Sequence, residues 1–233
     1  MQANVAVFFR GIPFLIILLS APALAQEEDW VHLPGPTGGT MQSFAAVDDA
    51  IIAAPRLGAY FRSTDAGRSW QLLFEEKWTR NTIALHATSD DMLFALSTRD
   101  VFRSSDGGAQ WDPCEIGEIA LYIASATDGT VLLGLRGAVA VSTDQGESWE
   151  RSYPVQDGNR DFKVAVDDAG NWYAGAYQTG LFRSTDRGAS WESIDDALPN
   201  DVVYSVSVSD GNMLHAGLNN ATFRSSDQGE TWE

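Results

Sequence analysis

Cysteine is all but missing from this chain of 233 residues: Cys114 stands alone, so no disulfide can form within it. A solitary thiol in an exported chain is ordinarily a small buried hydrophobe. Histidine is equally scarce, and His32, His86 and His215 are scattered, which leaves no Cys/His cluster of the kind that holds zinc. Bases are few, with 15 Lys and Arg facing 32 Asp and Glu for a net charge of −17. Such a field disfavours nucleic acid and anionic membrane surfaces as partners. Beyond residue 25 no segment shows sustained helical periodicity and no apolar run is long enough to anchor in a bilayer. Nothing in the chain calls for a cofactor.

What is present begins with a leader. Arg10 supplies a positive start, residues 12–19 an apolar core, and Ala23-Leu24-Ala25 a small-residue cleavage site before Gln26. Residues 1–25 are therefore expected to be a cleaved signal peptide, with an uncleaved N-terminal anchor as the alternative. The mature chain is then secreted or periplasmic. Cleavage removes Arg10 and no acid, leaving 14 bases against 32 acids and a charge of −18. Much of this excess belongs to turns that use Asp, and a solvated acidic surface accounts for it without an acidic function.

The dominant pattern of residues 26–233 is a repeat. The frame Ser-x-Asp-x-Gly-x-x-Trp occurs at Ser63/Asp65/Gly67/Trp70, Ser104/Asp106/Gly108/Trp111, Ser142/Asp144/Gly146/Trp149, Ser184/Asp186/Gly188/Trp191 and Ser225/Asp227/Gly229/Trp232. Successive serines lie 41, 38, 42 and 41 residues apart, a period that belongs to four-stranded propeller blades. Each frame residue has a role in a tight turn. Ser and Asp side chains accept from backbone N–H groups one to three residues ahead, Gly supplies a positive φ, and Trp buries its ring between blades while its N–H finds an acceptor. An aromatic-Arg pair precedes four copies (Phe61-Arg62, Phe102-Arg103, Phe182-Arg183, Phe223-Arg224), whereas the third has Ala140-Val141. This variation marks the arginines as outward strand residues and not a ligand site.

Between the frames an alternating run (43–47, 83–87, 120–124, 162–166, 204–208) leads through an Asp/Gly/Asn turn to an apolar run, then to a third strand that enters the frame, and the Trp opens a fourth. The expected fold is all-β: a β-propeller of four-stranded antiparallel blades, with five repeats visible. It forms either a closed five-bladed ring or a fragment of a six- to seven-bladed one. The last repeat is cut short at Glu233, and Asp29-Trp30-Val31-His32-Leu33 resembles a fourth strand without its frame.

The frame resembles the Asp-box, or BNR repeat, of bacterial sialidases and related propellers. In that family the box is a structural turn remote from catalysis, and the resemblance implies only that role here. Phe9-Arg10-Gly11-Ile12-Pro13 looks like the arginine motif of sialidases, but it carries an inserted Gly and lies in the leader. Similarity also extends to photosystem II assembly-factor and sortilin-like propellers, which are binding scaffolds, and to two-propeller xyloglucanases.

With blade strands named A to D in order, the boxes and A-B turns share one face, and the B-C turns and D-to-A loops share the other. Ligand chemistry belongs on the second face, over the central channel. The candidate binding residues there are Trp78, Arg80, Arg99, Arg136, Arg160 and Tyr177. Exposed aromatics beside Arg suit sugar recognition. The structural alternative has Trp78 capping a blade edge and the arginines neutralising nearby acids. These features point to an exported, non-catalytic module that binds a glycan or a protein. The alternative is a glycoside hydrolase, sialidase-like or xyloglucanase-like, in which Glu76, Asp161 and Asp201 are the candidate catalytic carboxylates. A third reading is one module of a larger extracellular repeat protein. No metal site is expected, and the oligomeric state is not written in these patterns.

Overall fold

The computed structural model describes residues 35–36, 40–56, 59–74, 81–155, 159–199, 202–209 and 211–233. The leader, the 29–33 segment, Glu76, Trp78, Arg80 and Asp201 lie outside these residues. All regular structure among the described residues is β. The first blade is β1 (Met41–Val47), β2 (Ala50–Pro55), β3 (Tyr60–Ser63) and β4 (Gln71–Phe74). The second is β5 (Thr82–Ala87), β6 (Leu93–Ser97), β7 (Val101–Ser104) and β8 (Asp112–Cys114). The third is β9 (Tyr122–Ser125), β10 (Val131–Gly134), β11 (Val139–Ser142) and β12 (Glu150–Ser152). The fourth is β13 (Lys163–Val166), β14 (Trp172–Ala176), β15 (Gly180–Ser184) and β16 (Glu192–Ser193). The fifth is β17 (Ser205–Ser209), β18 (Met213–Gly217) and β19 (Thr222–Ser225). Each sheet is an antiparallel meander in sequence order. A fourth strand begins in the last blade, where Arg224 and Glu233 exchange two backbone hydrogen bonds of 3.0 Å.

The boxes close as local chemistry requires. In every copy the Ser hydroxyl donates to the Asp Oδ1 at 2.7–2.8 Å and accepts from the N–H of the box glycine, Gly67, Gly108, Gly146, Gly188 or Gly229, at 2.7–2.9 Å. The same Oδ1 accepts from the N–H four residues on, at 2.8–2.9 Å. Four copies add a hydroxyl, from Ser69, Ser148, Ser190 or Thr231, donating to Oδ2 at 2.5–2.6 Å. These donors pull the Asp65, Asp144 and Asp227 carboxyls down to about 2, the hydroxyl contributing most.

The bonds reach four residues ahead, beyond the one to three expected of an ordinary Asx turn, because two consecutive residues turn left-handed. The second of the two is the box glycine, with φ of 83° at Gly67, Gly146 and Gly188, 92° at Gly108 and 95° at Gly229. The first is usually not glycine: Ala66, Gln145, Arg187 and Gln228 have φ of 58–63°. A positive φ is therefore only part of the reason for the glycine; the missing side chain matters as well. A Cβ on Gly146 would lie 2.7 Å from the Phe94 ring of the preceding blade, on Gly188 2.6 Å from Trp172 of its own, and on Gly229 2.5 Å from Ile194 of the preceding one. Gly108 is less crowded, with Leu73 of the preceding blade at 3.2 Å.

Cores form between successive blades. Trp111, Trp149, Trp191 and Trp232 each pack into the cluster shared with the preceding blade. The Trp111 and Trp149 rings meet Tyr60 and Phe94 edge-on at 5.4 and 6.4 Å. Trp111, Trp149 and Trp232 donate to carbonyls at 2.9–3.2 Å, and Trp191 donates to the Ser152 hydroxyl at 2.7 Å. Trp70 departs from the expected packing between blades. Its half-buried ring meets Phe44 of its own blade at 6.4 Å and 57°, because blade one has no preceding blade among the described residues. In blades one to four the box Trp also stands just before the fourth strand and does not open it, since the turn ends only at the following residue. The clusters described join blades one to two, two to three, three to four and four to five. The thiol of Cys114 is buried in the second of these, and burial pushes its pKa up to about 11.

The strand arginines correct the expectation that they are simply outward. Arg103, of which 21% of the side chain is exposed, reaches the next blade's box and donates to the Gln145 carbonyl at 3.0 Å and to Glu147 at 3.3 Å. Arg183, 11% exposed, binds the Gln228 carbonyl at 2.9 Å and Glu230 at 2.8 Å in the same way. Arg62 lies against the equivalent turn residue, Gly107. They clip each blade to the following one. Blade three has Val141 at this position, and there the contact runs in reverse: Arg187 of the fourth box donates to Asp128 of blade three at 3.0 Å.

Candidate functional site

On the face away from the boxes, residues 159–162 lead from blade three into β13 of blade four and touch the turns on both sides. Phe162, fully buried, anchors them. Its N–H donates to the Leu135 carbonyl at 3.1 Å, and the Gly137 N–H donates to the Arg160 carbonyl at 2.9 Å. The backbones approach so closely that a Cβ on Gly134 would run into the Phe162 carbonyl. Arg160, Asp161 and Lys163 are thereby fixed against the β10–β11 turn, which carries Arg136.

The side chains then converge. Arg136 Nε donates to Asp161 Oδ1 at 3.3 Å. Lys163 Nζ donates to the Asp161 carbonyl at 3.3 Å and stands 5.2 Å from the centre of the Tyr122 ring, at the start of β9. Burial lowers the Lys163 pKa, against the opposing pull of Asp161, while burial and then Asp161 raise that of Tyr122. On the other side, Arg160 lies 5.7 Å over the Tyr177 ring and its Nη2 donates to Gln178 Oε1 at 3.5 Å, in the β14–β15 turn. Tyr177 meets Tyr204 at 5.7 Å and 64°. Tyr177 and Tyr204 are 37% and 47% exposed. The platform thus draws on three consecutive blades.

Of the expected binding residues, the structure brings Arg136, Arg160 and Tyr177 into one patch. It places Arg99 one blade away, exposed in the β6–β7 turn that Ser97 organises by bonds to Asp100. Asp161 belongs to the patch, tied to Arg136, while Glu76, Asp201, Trp78 and Arg80 fall outside the described residues. Tyr122, Lys163 and Tyr204 join the patch although no motif marks them. Their signal is positional: each sits at or beside the first residue of an A strand, on the face away from the boxes. Among the described residues no three His, Cys, Asp or Glu side chains come together to hold a metal ion.

The arrangement of boxes and blades agrees with what comparison finds. The model for the BNR/Asp-box repeat matches residues 140–151, the third box. This chain has the β-propeller fold and carries Asp-box repeats. The propeller is 26% identical over 214 residues to a xyloglucanase of Hypocrea jecorina (strain QM6a), an alignment covering 84% of the chain and 25% of that enzyme. It therefore spans about a quarter of the relative's length. Among solved structures, an ancestral GH74 enzyme superposes with a TM-score of 0.69 at 17% identity, over 86% of this propeller and 32% of that chain. YCF48 bound to D1 peptide superposes at 0.64 and 14% identity, over 85% and 69%. At these identities the structural likeness establishes the fold alone.

Proposed function

We propose that this Asp-box propeller is an exported, non-catalytic module that binds a glycan on the face opposite its boxes. The observation that carries the reading is the open Tyr177–Tyr204 pair with Arg160 laid over it. Two partly exposed rings at an angle, one with a guanidinium over it and the Gln178 amide beside that guanidinium, offer a pyranose both stacking and hydrogen bonds. Export rests on the leader-like residues 1–25. The test is thermal unfolding of the full chain against a saccharide panel that includes sialosides and β-glucans. A ligand at 100 times its dissociation constant stabilises the fold by about 2.7 kcal/mol. Tyr177→Ala should abolish the shift for the responding glycan while leaving the unliganded melt in place. A shift that survives this substitution removes the site from consideration, and a response only to peptides makes the partner a protein.

The similarity to xyloglucanase favours glycoside hydrolysis as a second reading. That chemistry needs two carboxylates about 5–10 Å apart across the glycosidic bond. Asp161 is the candidate within the patch, and its Arg136 partner suits it to orienting a sugar as much as to cleaving one. Sugar release that disappears in Asp161→Asn would establish the enzymatic reading.

A further inference from the structure

Basic residues sit on both faces, and at the boxes Arg103, Arg183 and Arg187 are engaged with neighbouring blades. The box face carries one Asp per blade in the boxes themselves. On the opposite face the B-C turns of three consecutive blades each raise an exposed arginine: Arg56 after β2, Arg99 after β6 and Arg136 after β10. Arg160 continues the series into the Tyr177–Tyr204 platform. In blades four and five the same turns carry Gln178 and the Asn219-Asn220 pair instead. The rim is thus a basic arc over blades one to three followed by an aromatic and amide arc over blades four and five. Carboxylates border the basic arc and pair with part of it. Asp161 is bound to Arg136, Glu118 to Arg151 at 2.9 Å, and Asp100 is folded onto Ser97 through its backbone, while Glu115 stands exposed after β8.

Resting on the glycan reading above, we infer that the ligand of this face is an extended polyuronate, whose carboxylates lie along the arginine arc while a ring face stacks on Tyr177 and Tyr204. Guanidinium forks match carboxylates in a two-pronged geometry that hydroxyls of a neutral glucan do not use. Against a molecular charge of −17, a row of exposed arginines gives an anionic chain a favourable place to approach. An acidic peptide shares the charge, but it offers the tyrosine pair no pyranose face, and the platform adjoins the arc directly.

The experiment is calorimetric titration of the full chain, in calcium-free buffer, with polygalacturonate and with the same polymer after reduction of its carboxyls. Polygalacturonate should bind, weaken about tenfold or more when salt rises from about 50 to 300 mM, and exceed the reduced polymer by a similar factor. Arg56→Gln combined with Arg99→Gln should weaken polygalacturonate about tenfold and leave the reduced polymer unchanged. Tyr177→Ala should weaken both. Melting curves of the variants serve as the check that these substitutions leave the fold intact. Equal affinity for the two polymers, without a salt effect, overturns the polyuronate assignment while the glycan reading stands. Binding of neither polymer overturns the polyuronate assignment, and poly-glutamate bound through the same arginines would overturn the glycan reading with it.

Discussion

Arg183 gives a direct measure of how the blades are held together, because the third blade supplies an internal control. At the equivalent position blade three carries Val141, so Arg183→Val is a substitution this fold already accommodates elsewhere. In blade four it removes the Nη1 bond to the Gln228 carbonyl at 2.9 Å and the ion pairs to Glu192 at 2.7 Å and Glu230 at 2.8 Å. A hydrogen bond made by a charged donor contributes about 1.5–3 kcal/mol. The two glutamates are more than half exposed, so each pair adds only about 0.5 kcal/mol. Valine recovers part of the lost packing, and the net expectation is about 2–3 kcal/mol. For a chain of this size that corresponds to a fall in Tm of about 5–10 °C. Thermal melting gives the total, and hydrogen exchange followed by mass spectrometry gives the place. Peptides from residues 213–225 of blade five should exchange faster than those of blades one to three, since the clip lies on that interface. Arg183→Lys, which keeps the charge and loses the fork, should fall in between. A Tm within about a degree of the parent and unchanged exchange in blade five would refute the claim that these arginines clip blades.

Acid should weaken the protein in two stages. His86, packed between blades two and three against Ser125, is held down to about 4 by burial. Its folded pKa is below the unfolded value near 6.5, so its contribution is complete above about pH 6.5 and is lost as pH falls toward about 4. The box carboxyls of Asp65, Asp144 and Asp227, held at about 2, follow between about pH 4 and 2. Melting temperature against pH should show both declines, His86→Gln should remove the first, and a flat profile from about pH 7 to 2 would contradict the assignment. Ser148→Ala should shift the acid decline of the third box to higher pH, read as the NMR titration midpoint of Asp144. Gly134→Ala should cost about 3 kcal/mol or prevent folding, since its Cβ meets backbone and has nowhere to go, and a parent-like melt would show that residues 159–162 can retreat. Gly146→Ala combines a positive φ of 83° with a clash on Phe94, and should also lower the melt by several degrees.

The blade architecture was readable in the sequence because its causes are short-ranged. Period-two alternation, Asp/Gly turns and the Ser-Asp-Gly frame act within four residues, so each repeat carries its own instructions, and the A strands at 41–47, 82–87, 122–125, 163–166 and 205–209 fall close to the runs that predicted them. The face opposite the boxes followed from meander geometry alone, which put Arg136, Arg160 and Tyr177 on it from separate repeats. Other features depend on what stands across the interface. The same Phe-Arg pattern reads as an exposed strand end until the next blade places a box carbonyl in front of the guanidinium. The five frames are alike in sequence, yet Trp70 packs on its own blade while Trp111, Trp149, Trp191 and Trp232 pack on the one before. In the sequence Tyr204 looks like an ordinary first residue of a strand, Lys163 like a second and Tyr122 like a third. Only the segment anchored by Phe162, pressed onto Gly134, brings Arg160 over Tyr177 and Lys163 over Tyr122. Turns, strands and strand order follow from each residue's near neighbours and so can be read along the chain. Which side chains meet between blades depends on how the twisted sheets are stacked, and no spacing along the chain carries that information.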